Sequence, residues 1–389
     1  PMKTTLLLAA AFSLLAPLSA LHAAEEPQQT DARVTPFVHP GLLHSREELE
    51  FIKQKVAAGE EPWKTAWEKL RASESASFDY KPRPRVEVVR GPYNNPNIGS
   101  SEFSSDSGAA YTHALQWCLT GNEAHARKTV EILNVWSATL KTVSGHDTKL
   151  LIGMTGVQLC NAAELLRHTY TGWSRPDQER FERLLREILY SPIKDFFPAA
   201  NGNWDASMIQ TMLAMGVYLD DRAMFDRAVD YYLKGEGNGS IQNYFNAFGE
   251  CQESGRDQAH AQMGLGFLGC AAEMAWKQGV DLYGASSNRL ALGFEYTAKY
   301  NLGHDVPYEP YRSFEGKYFY RSISSDSRGR FAPIYERIVY HYHGRKGLEM
   351  PYSRQVVAKG GAGSRSGAAH VPWGALMFAE LPQAKSESK

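Results

Sequence analysis

Apolar residues recur along most of the chain at the 3.6-residue spacing of an amphipathic helix, beginning with Leu49, Ile52 and Val56 and resuming at Trp63, Trp67 and Leu70. Alternation of the strand type is scarce. Ser45 followed by Glu48 has the form of a capping box, Gly59 supplies a stop and Pro62 opens the next helix, so this segment predicts a helix hairpin. Further amphipathic helices are expected near 106–120, 122–141, 150–170, 176–189, 205–219, 221–234, 255–278 and 287–300. Helices of this length joined by short turns pack as antiparallel pairs. The expectation is therefore an all-α fold, an α/α toroid of paired antiparallel helices. A stacked solenoid would share the period, but the chain shows no internal self-similarity to support it.

Two stretches break the helical pattern. Residues 80–105, with Tyr93-Asn94-Asn95-Pro96-Asn97, are rich in Pro, Asn, Gly and Ser, as expected for a functional loop that could close over a cleft. From Tyr308 to Arg365 the chain turns rich in Tyr, Arg and Gly without a readable period.

Charge changes this picture little. With 42 basic against 43 acidic residues, no global field favours nucleic acid or an anionic membrane, so an acidic ligand would have to be met by local charges. The apolar content of 43% is ample for a single large core. Met2-Lys3, an apolar run from Leu6 to Leu18, and Ala23-Ala24 before an acidic run read as a secretory signal peptide over residues 1–24. A single domain is expected over 25–380, followed by a disordered tail at 381–389, in a periplasmic or secreted monomer that has no membrane attachment after signal cleavage. Cys118, Cys160, Cys251 and Cys270 form no CxxC pair, and Cys118, Cys160 and Cys270 sit in apolar helical contexts as small buried hydrophobes.

Candidate chemistry gathers in three places. Gly249 to His260 opens a helix whose apolar face includes Met263, Phe267, Cys270 and Met274, and Arg256 and His260 continue that face. Charges placed where burial is expected must pair or line a cleft, and Glu250, Glu253 and Asp257 lie beside them. An ordinary hydrogen-bonded histidine is the plain reading of His260 alone. Asn201-Gly202-Asn203-Trp204-Asp205 precedes the helix carrying Ile209, Met212 and Leu213. One asparagine there is accounted for as an N-cap, while the pair beside Trp204 suits a sugar face and its hydroxyls. Tyr308, Tyr311, Arg312, Tyr318, Tyr320 and Arg321 combine stacking surface, titratable hydroxyls and carboxylate-binding guanidinium groups, although such a segment can equally pack a core.

No GxSxG, P-loop, HExxH or GxGxxG motif is present. His341 and His343 form only a weak metal signal without placed partners, so neither metal nor cofactor is expected.

His39-Pro40-Gly41-Leu42, Pro62-Trp63, Asp106 to Trp117, Thr120-Gly121-Asn122 and Ile132 to Ser137 resemble the alginate-lyase domain family. Asn201 to Met208, Gly249 to Gly264 and Asn288 to Asn301 look like polysaccharide lyase family 38, related in mechanism to family 5. The resemblance runs from about residue 37 to about 355. It implies an α/α barrel that cleaves an acidic uronan by β-elimination, with Asn203, His260, Arg312 and Tyr318 at the positions of the family's catalytic residues. Tyr308, Tyr311, Tyr320 and Arg321 stand as alternatives in the same stretch. Trp204, Arg256, Glu253, Asn201, Tyr308, Tyr311 and Tyr93 are expected to bind substrate.

These groups suit the reaction. Removing the C5 proton of a uronate builds a dianionic enolate, which amide and guanidinium donors stabilise. In mannuronate and glucuronate the C5 proton and O4 lie on one side, so a single tyrosine can serve as base and then acid; in guluronate they are opposed, and His260 as base with Tyr318 as acid would be required. Mannuronate-rich alginate is the expected substrate, with glucuronan as the alternative. A hydrolase would need a carboxylate pair, for which Glu250, Glu253 and Asp257 are the candidates, and a non-catalytic uronan-binding protein is the remaining rival.

Overall fold

The computed structural model describes residues 35–360 and 369–379. The leader and the tail expected from the sequence lie outside them.

Helix α1 (Arg46–Ala58) starts at the expected capping box. Ser45 Oγ accepts the Glu48 N–H while the Glu48 carboxylate accepts that of Ser45, and Gly59 closes the helix at φ 68°. The turn to α2 (Trp63–Arg71) completes the hairpin.

The segment before α3 (Ser100–Thr120) is not free loop. It carries β1 (Glu87–Arg90) and β2 (Asn97–Ile98), and β1 also pairs in parallel with β3 (Thr142–Ser144), which follows α4 (Glu123–Thr139). Asp106 of α3 anchors it, accepting the Tyr80 hydroxyl at 2.6 Å, the Arg83 N–H at 2.7 Å and the Trp136 indole N–H at 2.7 Å. A buried carboxylate with three donors is well satisfied, which fixes the segment against α3 and α4.

Helix α5 (Thr148–Thr169) is followed by α6 (Arg175–Arg183), a wider π turn over Leu184–Tyr190 and the one-turn α7 (Ser191–Ile193). Then come α8 (Gly202–Tyr218), α9 (Arg222–Lys234), the short α10 (Ile241–Tyr244), α11 (Gln258–Lys277) and α12 (Ala285–Asn301). Helices α3, α5, α8 and α11 pack side by side as an inner layer, and α4 and α9 cover α3 and α8 from outside. The inner helices run parallel. A Cβ on Gly153 would meet Ser207, and one on Gly156 would meet Thr211, so α5 and α8 ascend in the same register. In α3 and α5, Gly108 faces Gln158 and Trp117 donates to Thr169. Parallel inner helices joined through outer ones are the toroid that the periodicity predicts.

The ring is completed by the chain ends. After the hairpin of β4 (Tyr311–Arg312) and β5 (Phe319–Tyr320) come α13 (Tyr335–Val339), a π turn over Tyr340–Arg345, α14 (Pro351–Ala358) and α15 (Gly374–Met377). Helix α13 packs on α11, while α15 bridges α13 and α2. A buried ionic cluster ties α1 to this seam: Glu273 accepts both terminal nitrogens of Arg345 at 2.8 Å, and Lys277 sits between Glu273 and Glu48. The paired cations hold the Glu273 carboxyl well below its ordinary range despite burial.

Among the described residues no helix is long and apolar enough to cross a membrane. All four cysteines are free thiols, with Cys160, Cys251 and Cys270 buried and Cys118 partly so. His341 is a core residue: its ring stacks on Tyr283 at 3.6 Å and burial pushes its pKa down to about 3. It packs with Arg345 rather than with metal-ligand partners.

Candidate active site

Parallel inner helices bring their N-termini to one end of the toroid, where first-turn N–H groups carry partial positive charge. The three sequence foci meet there. The first turn of α8 is capped from fifty residues away: Gln252 accepts the Gly202 N–H at 3.0 Å and Glu253 accepts that of Asn203 at 2.9 Å. Asn201 holds the N-cap position expected of an asparagine, but the capping bonds come from these two side chains. Asn201 instead accepts from Gln252 at 3.0 Å and from the Tyr320 hydroxyl at 3.4 Å. Gly202 is required by close approach, since a Cβ would lie 2.3 Å from the Tyr244 ring.

Glu253 is fully buried and joins three elements. Besides Asn203 it accepts the Tyr244 hydroxyl at 3.1 Å and pairs with Arg256 at 2.8 Å. Burial raises its pKa, with Arg256 and His260 opposing the rise. Arg256 precedes α11 instead of lying within it, because Asp257 is the N-cap and accepts the His260 N–H at 2.8 Å. The other Asp257 oxygen meets His260 Nδ1 at 2.6 Å, and Arg256 Nη2 stands 3.0 Å from His260 Nε2. A carboxylate on one ring nitrogen and a guanidinium donor on the other assign the proton to Nδ1 and leave Nε2 as acceptor. His260 is thereby held by Arg256, with its ring partly exposed to the cleft.

Asn203 lies beneath this cluster. Its residue is fully buried, its Nδ2 faces the Met263 sulfur at 3.3 Å, and its Oδ1 has no hydrogen-bond partner among the described residues. Trp204 beside it is half-buried and packs edge-on against Phe197 and His146. Asp205 fixes the loop before α8 by accepting the Phe197 N–H at 2.7 Å and the Tyr231 hydroxyl at 2.8 Å; burial pushes its pKa up to about 6.

The β4–β5 hairpin forms the opposite wall. Gly255 permits its contact with the turn before α11, since a Cβ there would strike Tyr320 and the Tyr308 hydroxyl. Cross-strand pairing places Tyr311 opposite Tyr320 and Arg312 opposite Phe319. Tyr318 and Tyr320 share one face, their rings parallel within 6° at 6.5 Å. That face looks toward the segment that leads into α8: the Tyr320 hydroxyl reaches Asn201, and Lys317 Nζ lies 5.6 Å from the Phe197 ring and 5.2 Å from that of Tyr318. Arg312 projects from the other face and stacks on Phe319 at 4.9 Å, so the structure does not bring it to the His260 cluster.

The tyrosines differ in what their hydroxyls do. Tyr308 donates to the Tyr320 carbonyl at 2.9 Å, Tyr311 donates to the Asn243 carbonyl, and Tyr320 reaches Asn201. The hydroxyls of Tyr308 and Tyr311, expected to bind substrate, are therefore committed to the hairpin and to α10 respectively, and burial pushes both phenols up to about 12. The Tyr318 hydroxyl has no hydrogen-bond partner among the described residues. Tyr93, expected to bind substrate, is almost fully exposed on the turn after β1.

Several residues here were not singled out in the sequence. His146 and Lys149 open α5, with Lys149 donating to the Phe196 carbonyl and lying 5.4 Å from the Phe197 ring. A lysine in a first helical turn opposes the helix dipole, a signal that could have marked it. Lys317 was passed over in a segment already rich in charge.

The three candidate carboxylates are committed. Glu253 and Asp257 hold Arg256 and His260, while Glu250 accepts the Glu309 N–H at 2.8 Å and anchors the strand leading into the hairpin. A general acid and base flanking a glycosidic bond would need accessible carboxyl groups. Burial pushes the Glu250 pKa from its usual 4.5 up to about 7. The unfolded chain then loses this proton first, so stability falls as pH rises from about 4.5 to 7, by at most about 3 kcal/mol. Glu250→Gln keeps an acceptor for Glu309 without the charge. Its stability relative to wild type, measured by urea unfolding across that range, is expected to rise with pH; a constant difference would contradict the assignment.

A cavity of about 330 Å³ between α3, α5 and residues 370–373 is lined by Tyr80, Arg83, Ser104, Gln158, His370 and Trp373, none of which belongs to this cluster.

The chain matches the family model described as alginate lyase over residues 51–306. No curated protein sequence matches it significantly. Among solved structures it is similar to alginate lyase A1-III from Sphingomonas species A1, with TM-score 0.64 and 14% identity over 90% of this chain and 99% of that one. A tyrosine-to-phenylalanine variant of A1-III complexed with a tetrasaccharide gives TM-score 0.65 and 16% identity over 91% of this chain and 100% of that one. An alginate lyase from Bacteroides ovatus gives TM-score 0.60 and 14% identity over 88% of this chain and all of the other. The likeness to these structures is one of fold, and the family match over most of the helical toroid carries the assignment: the chain belongs to the alginate lyase family.

Proposed function

We propose that this protein is a polysaccharide lyase that cleaves alginate by β-elimination, with Tyr318 moving the proton. The observation that carries the reading is the Tyr318 hydroxyl, uncommitted among bonded tyrosines, on the hairpin face that meets the α8 wall. As phenolate it takes the C5 proton; the C5–H electron pair forms the C4–C5 double bond, the C4–O4 bond breaks, and the same tyrosine returns the proton to O4. The polymer lies between Trp204 and the hairpin, its carboxylates met by Lys149 and Lys317.

His260 supports the mannuronate preference. Its Nε2 lone pair is already taken by Arg256, which suits a group that orients Arg256 rather than a base on the opposite face. Elimination from mannuronate or glucuronate needs no second base. Asn203 reaches the substrate carboxylate once Met263 turns aside, a motion that an unbranched thioether permits. Its Nδ2 then donates to the carboxylate, while Oδ1, without a partner among the described residues, accepts a substrate hydroxyl.

Arg312 acts, in this reading, by leaving Phe319 and reaching round the two-residue ribbon to the bound uronate. An exposed cation–π contact opposes this by only about 0.5–1 kcal/mol. Arg312→Ala is expected to lower kcat/KM on polymannuronate by about 10²-fold. A loss below threefold would leave Arg256 and Lys317 as the cations that meet the carboxylate.

Incubation with polymannuronate, polyguluronate and glucuronan, followed by ultraviolet absorbance of the unsaturated product, tests the substrate. The expected order places polymannuronate first; glucuronan in first place would favour the glucuronan-lyase alternative, since the two sugars differ only at C2.

A further inference from the structure

We propose that His39, Glu164 and His168 form a binding site for one divalent transition-metal ion, Zn²⁺ by its ligand chemistry, with Asp220 orienting His39. The proposal is independent of the lyase reading. These residues lie at the C-terminal end of α5, whereas His146 and Lys149 lie at its start, about 30 Å away at 1.5 Å per residue.

Glu164 and His168 are four residues apart on the last turns of α5 and so share one helix face. His39 comes from the strap before α1, and its ring stacks on that of His168 at 4.5 Å and 12°. One potential ligand atom from each residue lies within 4.8 Å of the others. His39 Nδ1 is 2.7 Å from Glu164 Oε1, and His168 Nε2 is 3.6 Å from Glu164 Oε2. Ligands at about 2.0–2.2 Å from a tetrahedral zinc stand about 3.3 Å apart, which falls between those separations.

Hydrogen bonding leaves this site unfinished. Glu164, with a side chain only 1% exposed, accepts at Oε1 from His39 and from the Gly41 N–H at 3.1 Å. Its Oε2 and His168 Nε2 are both buried and have no hydrogen-bond partner among the described residues. Such atoms cost stability unless something satisfies them, and these face each other across a gap too long for a hydrogen bond. A metal ion would satisfy both. The outer shell is also present: His39 Nε2 lies 3.2 Å from Asp220 Oδ1, the carboxylate–histidine arrangement that fixes the tautomer of a metal-bound imidazole. Two carboxylates and two neutral imidazoles carry the charge that a divalent cation balances. Asp220 is largely exposed, which gives the ion a route from solvent. Bound there, the ion would pin the strap to the outer end of α5.

The test uses the full chain, stripped with a chelator and titrated calorimetrically with ZnSO₄, and in parallel with CoSO₄ while recording the visible spectrum. One Zn²⁺ per chain, a rise in Tm and a cobalt d–d spectrum with nitrogen ligation are expected. His39 belongs to the folded strap, so the decisive variants are the less buried ones. His168→Ala should weaken Zn²⁺ binding by more than about 100-fold, and Asp220→Asn by about 10- to 100-fold. Initial rates of uronan cleavage by folded enzyme should be the same with and without Zn²⁺. Wild-type Kd above about 1 mM, or one-to-one binding that survives His168→Ala, would overturn the proposal.

Discussion

Tyr318→Phe should lower kcat on polymannuronate by about 10²- to 10⁴-fold, the usual contribution of a positioned proton-transfer group, while polymer affinity and Tm stay near wild type. The ring remains, so its parallel packing on Tyr320 and the nearby Lys317 cation are kept. No protein hydrogen bond from this hydroxyl is lost, since it makes none among the described residues. Tyr320→Phe is the matched control. It removes only the 3.4 Å contact to Asn201 and should cost less than about tenfold. A larger loss in Tyr320→Phe than in Tyr318→Phe would transfer the proton-carrying role to Tyr320.

His260→Ala is expected to lower kcat/KM by about 10²- to 10³-fold on every uronan that the enzyme cleaves. The imidazole links Asp257 to Arg256, which is in turn paired with the buried Glu253 that caps α8 at Asn203. Its loss therefore disturbs the arginine and the asparagine together. Selective loss of polyguluronate cleavage, with polymannuronate cleavage intact, would instead make His260 a base for the opposed stereochemistry. Steady-state rates on the two polymers separate these outcomes.

Local signals were legible in the sequence, and long-range ones were not. The Ser45–Glu48 capping box is complete within four residues and stands as read. Helix α3 begins at Ser100, earlier than expected near 106, because Ser-Ser-Glu-Phe-Ser-Ser carries too little apolar period to register. Its serines are accommodated there by satisfying their hydroxyls on carbonyls one turn earlier, as Ser104 does on Ser100. Asn201 occupies the N-cap position of α8 as expected, but the capping acceptors are Gln252 and Glu253, fifty residues on, which no local signal marks. The β4–β5 hairpin is too short for an alternating pattern. It is held from outside, by Glu250 on the Glu309 N–H and Asn238 on that of Phe314.

The candidate site divides in the same way. Arg256 and His260 were visible because polar groups interrupt an apolar stripe, and both lie in one bonded cluster with Glu253 and Asn203. The stretch 308–321 was legible as tyrosine-rich, but not which hydroxyls are spent on carbonyls. That distinction depends on Asn243 and on the cross-strand register, neither of which has a local signature. The same register puts Arg312 on the face away from Tyr318.

The most direct test of the central claim is the mass and ultraviolet absorbance of the products released from polymannuronate by wild-type protein and by Tyr318→Phe. Elimination predicts absorbing oligosaccharides lighter by one water than their hydrolytic counterparts, formed by wild type and nearly absent with Tyr318→Phe. Full-mass products without absorbance, or absorbing products at wild-type rate from Tyr318→Phe, would contradict the account.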